Sequence, residues 1–129
     1  KVDLKGVILK PNMILPGSNS DKKISKEQIA KLTVQCLKDS VPSEVPGIAF
    51  LSGGQTDIEA TENLNQINIS NSTNFIMTFS YGRALQQSAL KIWSKDIKNI
   101  KDTQKLFNHR ANMCHLAAQG KWSKELENK

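Results

Sequence analysis

Three short apolar runs punctuate an otherwise polar chain, and each empties into a cluster of turn residues followed by a helical pattern. The first run, Val7, Ile8 and Leu9, is β-prone and stops at Lys10, because Pro11 has no N–H and cannot continue a central strand. Lys10 is therefore read as the last residue of a buried strand. Residues 16–21 are all turn formers. A helix follows, announced by Ser25 as N-cap and Gln28 as the return partner of a capping box, with Ile24 and Ile29 in the staple positions. Ile29, Leu32, Cys36 and Leu37 recur at helical spacing and predict one apolar stripe that ends near Ser40, ahead of Pro42.

Gly47, Ile48, Ala49, Phe50 and Leu51 form the second run, read as a strand buried on both faces because it does not alternate. It runs into Ser52-Gly53-Gly54-Gln55, after which Thr56 and Glu59 make a second capping box and Ala60, Leu64 and Ile67 mark the inner face of a helix. The third run, residues 75–79, empties into Ser80-Tyr81-Gly82-Arg83, and the helix from Ala84 carries Leu85, Ala89, Ile92 and Trp93 on one side. A last long helix is predicted over 96–119, with Ile97, Ile100, Phe107, Ala111, Cys114 and Ala118 apolar and Gly120 at C′. The charged composition of 121–129 predicts a frayed tail.

Strand, helix, strand, helix, strand, helix, helix is the order of a parallel sheet with right-handed crossovers. Parallel strands need both faces covered, and three strands with these helices cannot also close two sheet edges. The pattern predicts an arc of a (β/α)8 barrel or of a doubly wound sheet.

Composition narrows the reading. The 129 residues fit one domain, and 38% hydrophobic with 5% aromatic content describes a soluble globular chain. No run approaches the roughly 18 apolar residues of a membrane span, and no secretory pattern is present. The sequence opens at Lys1 without a methionine and enters a strand almost at once, which predicts a piece of something longer. Cys36 and Cys114 lie on apolar helical faces in no metal-ligand spacing and are read as buried free thiols. His109 and His115, six apart and without an acidic cluster, predict no metal site. The formal charge of +6 is spread over several helices, interleaved with acids and without stacking aromatics, so a solvated basic surface is preferred to nucleic-acid binding.

All three strands deliver polar groups at their carboxyl ends, where α/β folds bind ligands. A lysine desolvated at such a strand end is pushed toward its neutral, nucleophilic form, which is Schiff-base chemistry; an isolated Lys-Pro pair is ordinarily a lysine snorkelling to solvent. Ser52, Gly53 and Gly54 precede a helix N-terminus and offer bare N–H groups beside a hydroxyl. Gly82 permits close backbone approach, and the Arg83 guanidinium can clamp phosphate oxygens in bidentate fashion. Each feature alone is weak, and their repetition on successive units points to a barrel enzyme holding a phosphorylated carbonyl compound.

The segments LKGVILKPNM (residues 4–13), GIAFLSGGQ (47–55) and TFSYGRALQ (78–86) closely resemble class I fructose-bisphosphate aldolase, as do Val41-Pro42, Glu59-Ala60 and Asn63-Leu64-Asn65. The resemblance covers nearly the whole chain in order and corresponds to the family's C-terminal portion. It implies a partial (β/α)8 TIM barrel: three parallel strands, the sixth to eighth of the family barrel, with alternating helices and a long C-terminal helix. It further implies that Lys10 forms the Schiff base, that Ser52, Gly53, Gly82 and Arg83 hold a substrate phosphate, and that Leu51 lines the pocket by its backbone. The activity implied is metal-free, cofactor-free, reversible cleavage of fructose 1,6-bisphosphate by a cytoplasmic homotetramer acting on a phosphorylated sugar, with no nucleic-acid or membrane partner.

Two departures stand out. The family's proton-relaying aspartate, lysines and glutamates come from earlier strands, and Asp57 and Glu59, in a helix's first turn, are accounted for by capping. No tyrosine follows Tyr81, although family members often carry a longer tail ending in an aromatic residue. The isolated chain is therefore expected to be inactive, and a non-catalytic half-barrel that pairs with a complementary chain stands as the alternative, with a basic nucleic-acid binder behind it.

Overall fold

The computed structural model describes residues 1–128, and Lys129 lies outside them. Its strands are β1 (Ile8–Leu9), β2 (Gly47–Phe50) and β3 (Ile76–Phe79); its helices are α1 (Lys26–Ser40), α2 (Asp57–Ser70), α3 (Arg83–Trp93) and α4 (Ile100–Ala118). The strands form one sheet in the order β1-β2-β3. Both pairings are parallel, with Ile8 opposite Gly47 and Phe50 opposite Phe79. This is a partial (β/α) barrel, three parallel strands alternating with helices and closed by a long C-terminal helix.

Local chemistry sets most of the boundaries. Ser25 accepts from the Gln28 N–H while Gln28 reaches back to the cap, and Thr56 and Glu59 repeat the arrangement, so both boxes form as the spacing predicts. At the other end of α4, Gly120 adopts φ +67°. Its N–H donates to the Ala117 carbonyl at 3.0 Å and the Lys121 N–H to the Leu116 carbonyl at 2.9 Å, a Schellman stop of the kind glycine favours.

The core lies between one face of the sheet and the helices. Ile48, Phe50 and Met77 meet Ile29, Ala30, Val34 and Leu37 of α1, Ala60, Leu64 and Ile67 of α2, and Met113, Cys114 and Ala117 of α4. The second strand is thus not buried on both faces: Ile48 and Phe50 are buried and Gly47 and Ala49 only partly so. Ile8 and Ile76, both opposite Gly47, share the other face and are 69% and 74% exposed. Among the described residues no layer packs on that face, so the expectation of a buried first strand is corrected: β1 is an exposed edge strand.

Three helical faces also depart from the apolar spacing. In α1 the buried stripe is Ile29, Ala30, Thr33, Val34 and Leu37, leaving Leu32 and Cys36 exposed; only Cys114 is a buried thiol. Helix α3 buries Ala84 and Ala89 and leaves Trp93 exposed. Helix α4 starts at Ile100 rather than 96, and Ile97, Ile100 and Phe107 face outward because Arg110, Met113, Cys114 and Ala117 occupy the inner stripe. The charged composition of 121–129 predicts fraying, yet the described part packs: Trp122 is buried, residues Lys124–Asn128 form a 3-10 turn, and Glu127 pairs with Arg110.

Candidate active site

Because the strands are parallel and adjacent, their carboxyl ends gather on one rim. Hydrogen bonds beyond the strands hold them in step: the Leu51 N–H donates to the Pro11 carbonyl at 3.0 Å, and the Ser80 N–H to the Phe50 carbonyl at 2.8 Å. Lys10 extends the β1 register by one residue, to the level of Ala49 and Thr78, and alternation along the pleat places it with Ile8 on the open face. At about 3.3 Å per residue, the turn at Ser52 and Gly53 stands roughly 10 Å above it along the strand direction. Lys10 is exposed, so the desolvation that a buried strand would supply does not come from this sheet.

Ser52 is buried at the top of β2, and its carbonyl accepts from the Gln55 N–H at 3.2 Å to close the glycine turn. Gly54 has φ +80°, a left-handed conformation that a side chain would strain. A side chain on Gly53 would place its Cβ 3.1 Å from Leu51 Cδ1. Asn12, two residues beyond Lys10, donates from Nδ2 to the Gly53 carbonyl at 3.3 Å and so ties the first strand's exit to the second turn. No sequence signal beyond its position after Pro11 marks that contact.

The two helix N-termini differ in what they leave open. Helix α2 is closed by its own Thr56–Glu59 box and carries Asp57 and Glu59 in its first turn, so its dipole is already answered. Helix α3 opens at Gly82 with no side-chain cap and no acid in its first turn. Arg83, exposed, is its first residue. The uncapped N–H groups and the guanidinium make the start of α3 the stronger anion-favouring point of the rim.

Tyr81 fixes that point from below. It is buried, packs against Phe79 with ring centroids 5.4 Å apart, and donates its hydroxyl to the Ala60 carbonyl at 2.8 Å. Burial, with a smaller contribution from the nearby Cys114, pushes its phenol well above the ordinary range, so it serves as a neutral donor. Burial likewise pushes the Cys114 thiol up, partly offset by the Thr61 hydroxyl and the Arg110 charge, and leaves it an inert core residue.

Asp57 does more than the capping reading allows. Its Oδ1 accepts from the Ile58 N–H at 3.0 Å, while Oδ2 accepts from Ser88 Oγ at 2.9 Å and lies 3.8 Å from Arg110 Nε. Arg110, buried on α4, also donates to Thr61 Oγ1 at 3.3 Å. Sequence spacing could not reveal this, because the partners come from three helices. Among the described residues no group of three or more His, Cys, Asp or Glu side chains is placed to hold a metal ion, and no helix is long and apolar enough to cross a membrane.

A lysine on the open face of parallel strands, below a rim with a glycine turn and an uncapped arginine-led helix, defines a segment of an α/β barrel with an anion-favouring mouth. A family model described as fructose-bisphosphate aldolase class-I matches residues 1–129, and the chain belongs to that family. It is similar to a probable fructose-bisphosphate aldolase class 1 of Xylella fastidiosa, 48% identical over 122 residues, covering 94% of this chain and 36% of the relative. Fructose-bisphosphate aldolase 4, cytosolic, of Arabidopsis thaliana is 50% identical over 120 residues, covering 92% and 30%. A co-crystal structure of fructose-bisphosphate aldolase from Plasmodium falciparum, with TRAP and a small-molecule inhibitor, superposes with TM-score 0.90 at 41% identity, covering 95% of this chain and 35% of that one. The chain thus spans about a third of the length of the relatives it matches.

Proposed function

We propose that the chain supplies the imine-forming lysine and one phosphate grip of a Schiff-base aldolase that reversibly cleaves fructose 1,6-bisphosphate. The observation that carries the reading is the register: Lys10, level with Ala49 and Thr78, sits on the open face below Ser52-Gly53 and Gly82-Arg83. Family membership over the whole chain supports it.

In this reading Lys10 Nζ attacks the C2 ketone of the bound sugar and water leaves, giving a protonated imine. A base takes the C4 hydroxyl proton, the C3–C4 bond breaks, and its electron pair flows into the imine to give an enamine as glyceraldehyde 3-phosphate departs. Protonation at C3 and hydrolysis of the imine then release dihydroxyacetone phosphate and regenerate the amine. The imine is the electron sink, the role a divalent ion plays in metal-assisted aldol cleavage. Ser52 and Gly53, with Gly82 and Arg83, grip a substrate phosphate, and Leu51 lines the pocket by its backbone. The acid and base groups are assigned to barrel strands other than these three, whose closure over the open face also supplies the missing desolvation.

The reading includes the sixth to eighth positions in the barrel for β1 to β3 and a cytoplasmic homotetramer without nucleic-acid or membrane partners; a relative's cytosolic name supports the location. The exposed β1 edge favours one competing reading, a half-barrel that binds a complementary chain without catalysis. Aldehyde release from fructose 1,6-bisphosphate by the enzyme containing this chain, lost after pretreatment with borohydride and dihydroxyacetone phosphate together and retained after borohydride alone, is the expected result. Phosphate-ester binding without borohydride inactivation would favour the half-barrel instead.

A further inference from the structure

We propose that Asp57, through Ser88 and Arg110, is a positioning residue that fixes the two rim turns relative to one another and thereby sets affinity for the substrate phosphate. This rests on the aldolase reading above. Asp57 is the first residue of α2, four positions after Gly53, and its Oδ2 accepts a 2.9 Å hydrogen bond from Ser88 on α3, the helix that opens at Gly82. The same oxygen lies 3.8 Å from Arg110 Nε on α4.

Capping does not require this arrangement. The N-terminus of α2 is already closed by Thr56 and Glu59, and a cap needs no partner on α3 or α4. Arg110, for its part, is held independently of Asp57, by Thr61 and by both oxygens of Glu127, so it presents Nε as a fixed charge rather than a mobile one. A second tie, from the Tyr81 hydroxyl to the Ala60 carbonyl, joins the residue just before Gly82 to α2. Two contacts a turn apart therefore link the helix behind Ser52-Gly53 to the element bearing Gly82-Arg83. A phosphate gripped by both turns senses any shift between them, because a displacement near 1 Å is enough to spoil bound geometry.

The test uses the enzyme with its complete barrel. Asp57→Ala and Ser88→Ala are each predicted to raise KM for fructose 1,6-bisphosphate and weaken competitive inhibition by inorganic phosphate, roughly fivefold, with kcat little changed. The double variant is predicted to be no worse than the single ones, and Ser88→Thr, which keeps the hydroxyl, to restore affinity. Glu62→Ala, which removes the 2.7 Å Lys26–Glu62 pair between α1 and α2, is predicted to leave both constants unchanged. Ser88 is exposed, so its variant remains informative even where Asp57→Ala folds poorly. Unaltered KM and phosphate inhibition in a folded Ser88→Ala enzyme would overturn the proposal. Failure of the unsubstituted enzyme to saturate with the bisphosphate would instead remove the aldolase reading, and this inference with it, before any substitution is compared.

Discussion

Glu127 meets both terminal nitrogens of Arg110, at 2.9 Å from Nη1 and 2.7 Å from Nη2, although one lies in the last turn of the chain and the other mid-helix. Both side chains are only 9% exposed, and Trp122 Nε1 adds a 2.8 Å hydrogen bond to the same carboxylate. Removing Glu127 leaves the buried Arg110 with only the Thr61 hydroxyl and the longer Asp57 contact, and losing one partner of a buried pair costs about 3 kcal/mol. Glu127→Ala is accordingly predicted to lower the unfolding free energy by about that amount in urea titrations. A loss below about 1 kcal/mol would mean the clasp is no stronger than a surface pair.

Acidification probes the same contact. Burial pushes the Glu127 carboxyl up, but hydrogen bonds from Arg110 and Trp122, with the Arg110 charge and a weaker contact to His109, more than offset it and hold the group below its ordinary range. A carboxyl depressed in the folded state contributes stability above its unfolded pKa of about 4.3, and that contribution is lost as pH falls through the lower folded value. Unfolding free energy is predicted to decline below about pH 4.3, with a shallower decline in Glu127→Gln. Identical slopes for the two proteins would exclude the contribution.

The end of α4 offers a backbone test. Gly120 sits at φ +67°, and an added Cβ would lie 3.2 Å from Ile69 Cγ1. Gly120→Ala is predicted to destabilise by about 1–2 kcal/mol, the penalty of a left-handed L-residue, visible as a lower thermal midpoint. An unchanged midpoint would mean the turn relaxes without the Schellman geometry.

The 129-residue chain by itself is predicted to show no turnover of fructose 1,6-bisphosphate, since β1 is an exposed edge and the proposed acid and base lie on other strands. Steady release of triose phosphates by the purified chain, free of other aldolase, would contradict this.

What could be read from the sequence was local. Both capping boxes, the three strand runs and the glycine stop after α4 depend on residues within a few positions of each other; the boxes and the stop appear where the pattern puts them, and the strands appear within the runs but shorter, leaving Val7, Lys10, Leu51 and Phe75 outside them. The inner stripe of α1 was not legible, because it turns on Thr33, a polar residue whose hydroxyl accepts the distant Ile14 N–H at 3.0 Å. Arg110 is the same case on a larger scale. A charged residue reads as surface until Asp57, Thr61 and Glu127 are brought around it. At the candidate site, the placing of Ser52, Gly53, Gly82 and Arg83 at the strands' carboxyl ends, with Lys10 on the same side of the sheet order, followed from strand order, whereas the exposure of Lys10 depends on what covers the open face, and no short-range pattern encodes that.

The proposed cleavage requires the Lys10 amine to condense with the sugar ketone. Incubating the enzyme that contains this chain with dihydroxyacetone phosphate and borohydride, then mapping the reduced adduct by peptide mass spectrometry, tests it most directly. One adduct is expected, on the peptide carrying Lys10, and none in a Lys10→Arg variant. An adduct on a different lysine, or an active enzyme that yields no adduct at all, would contradict it.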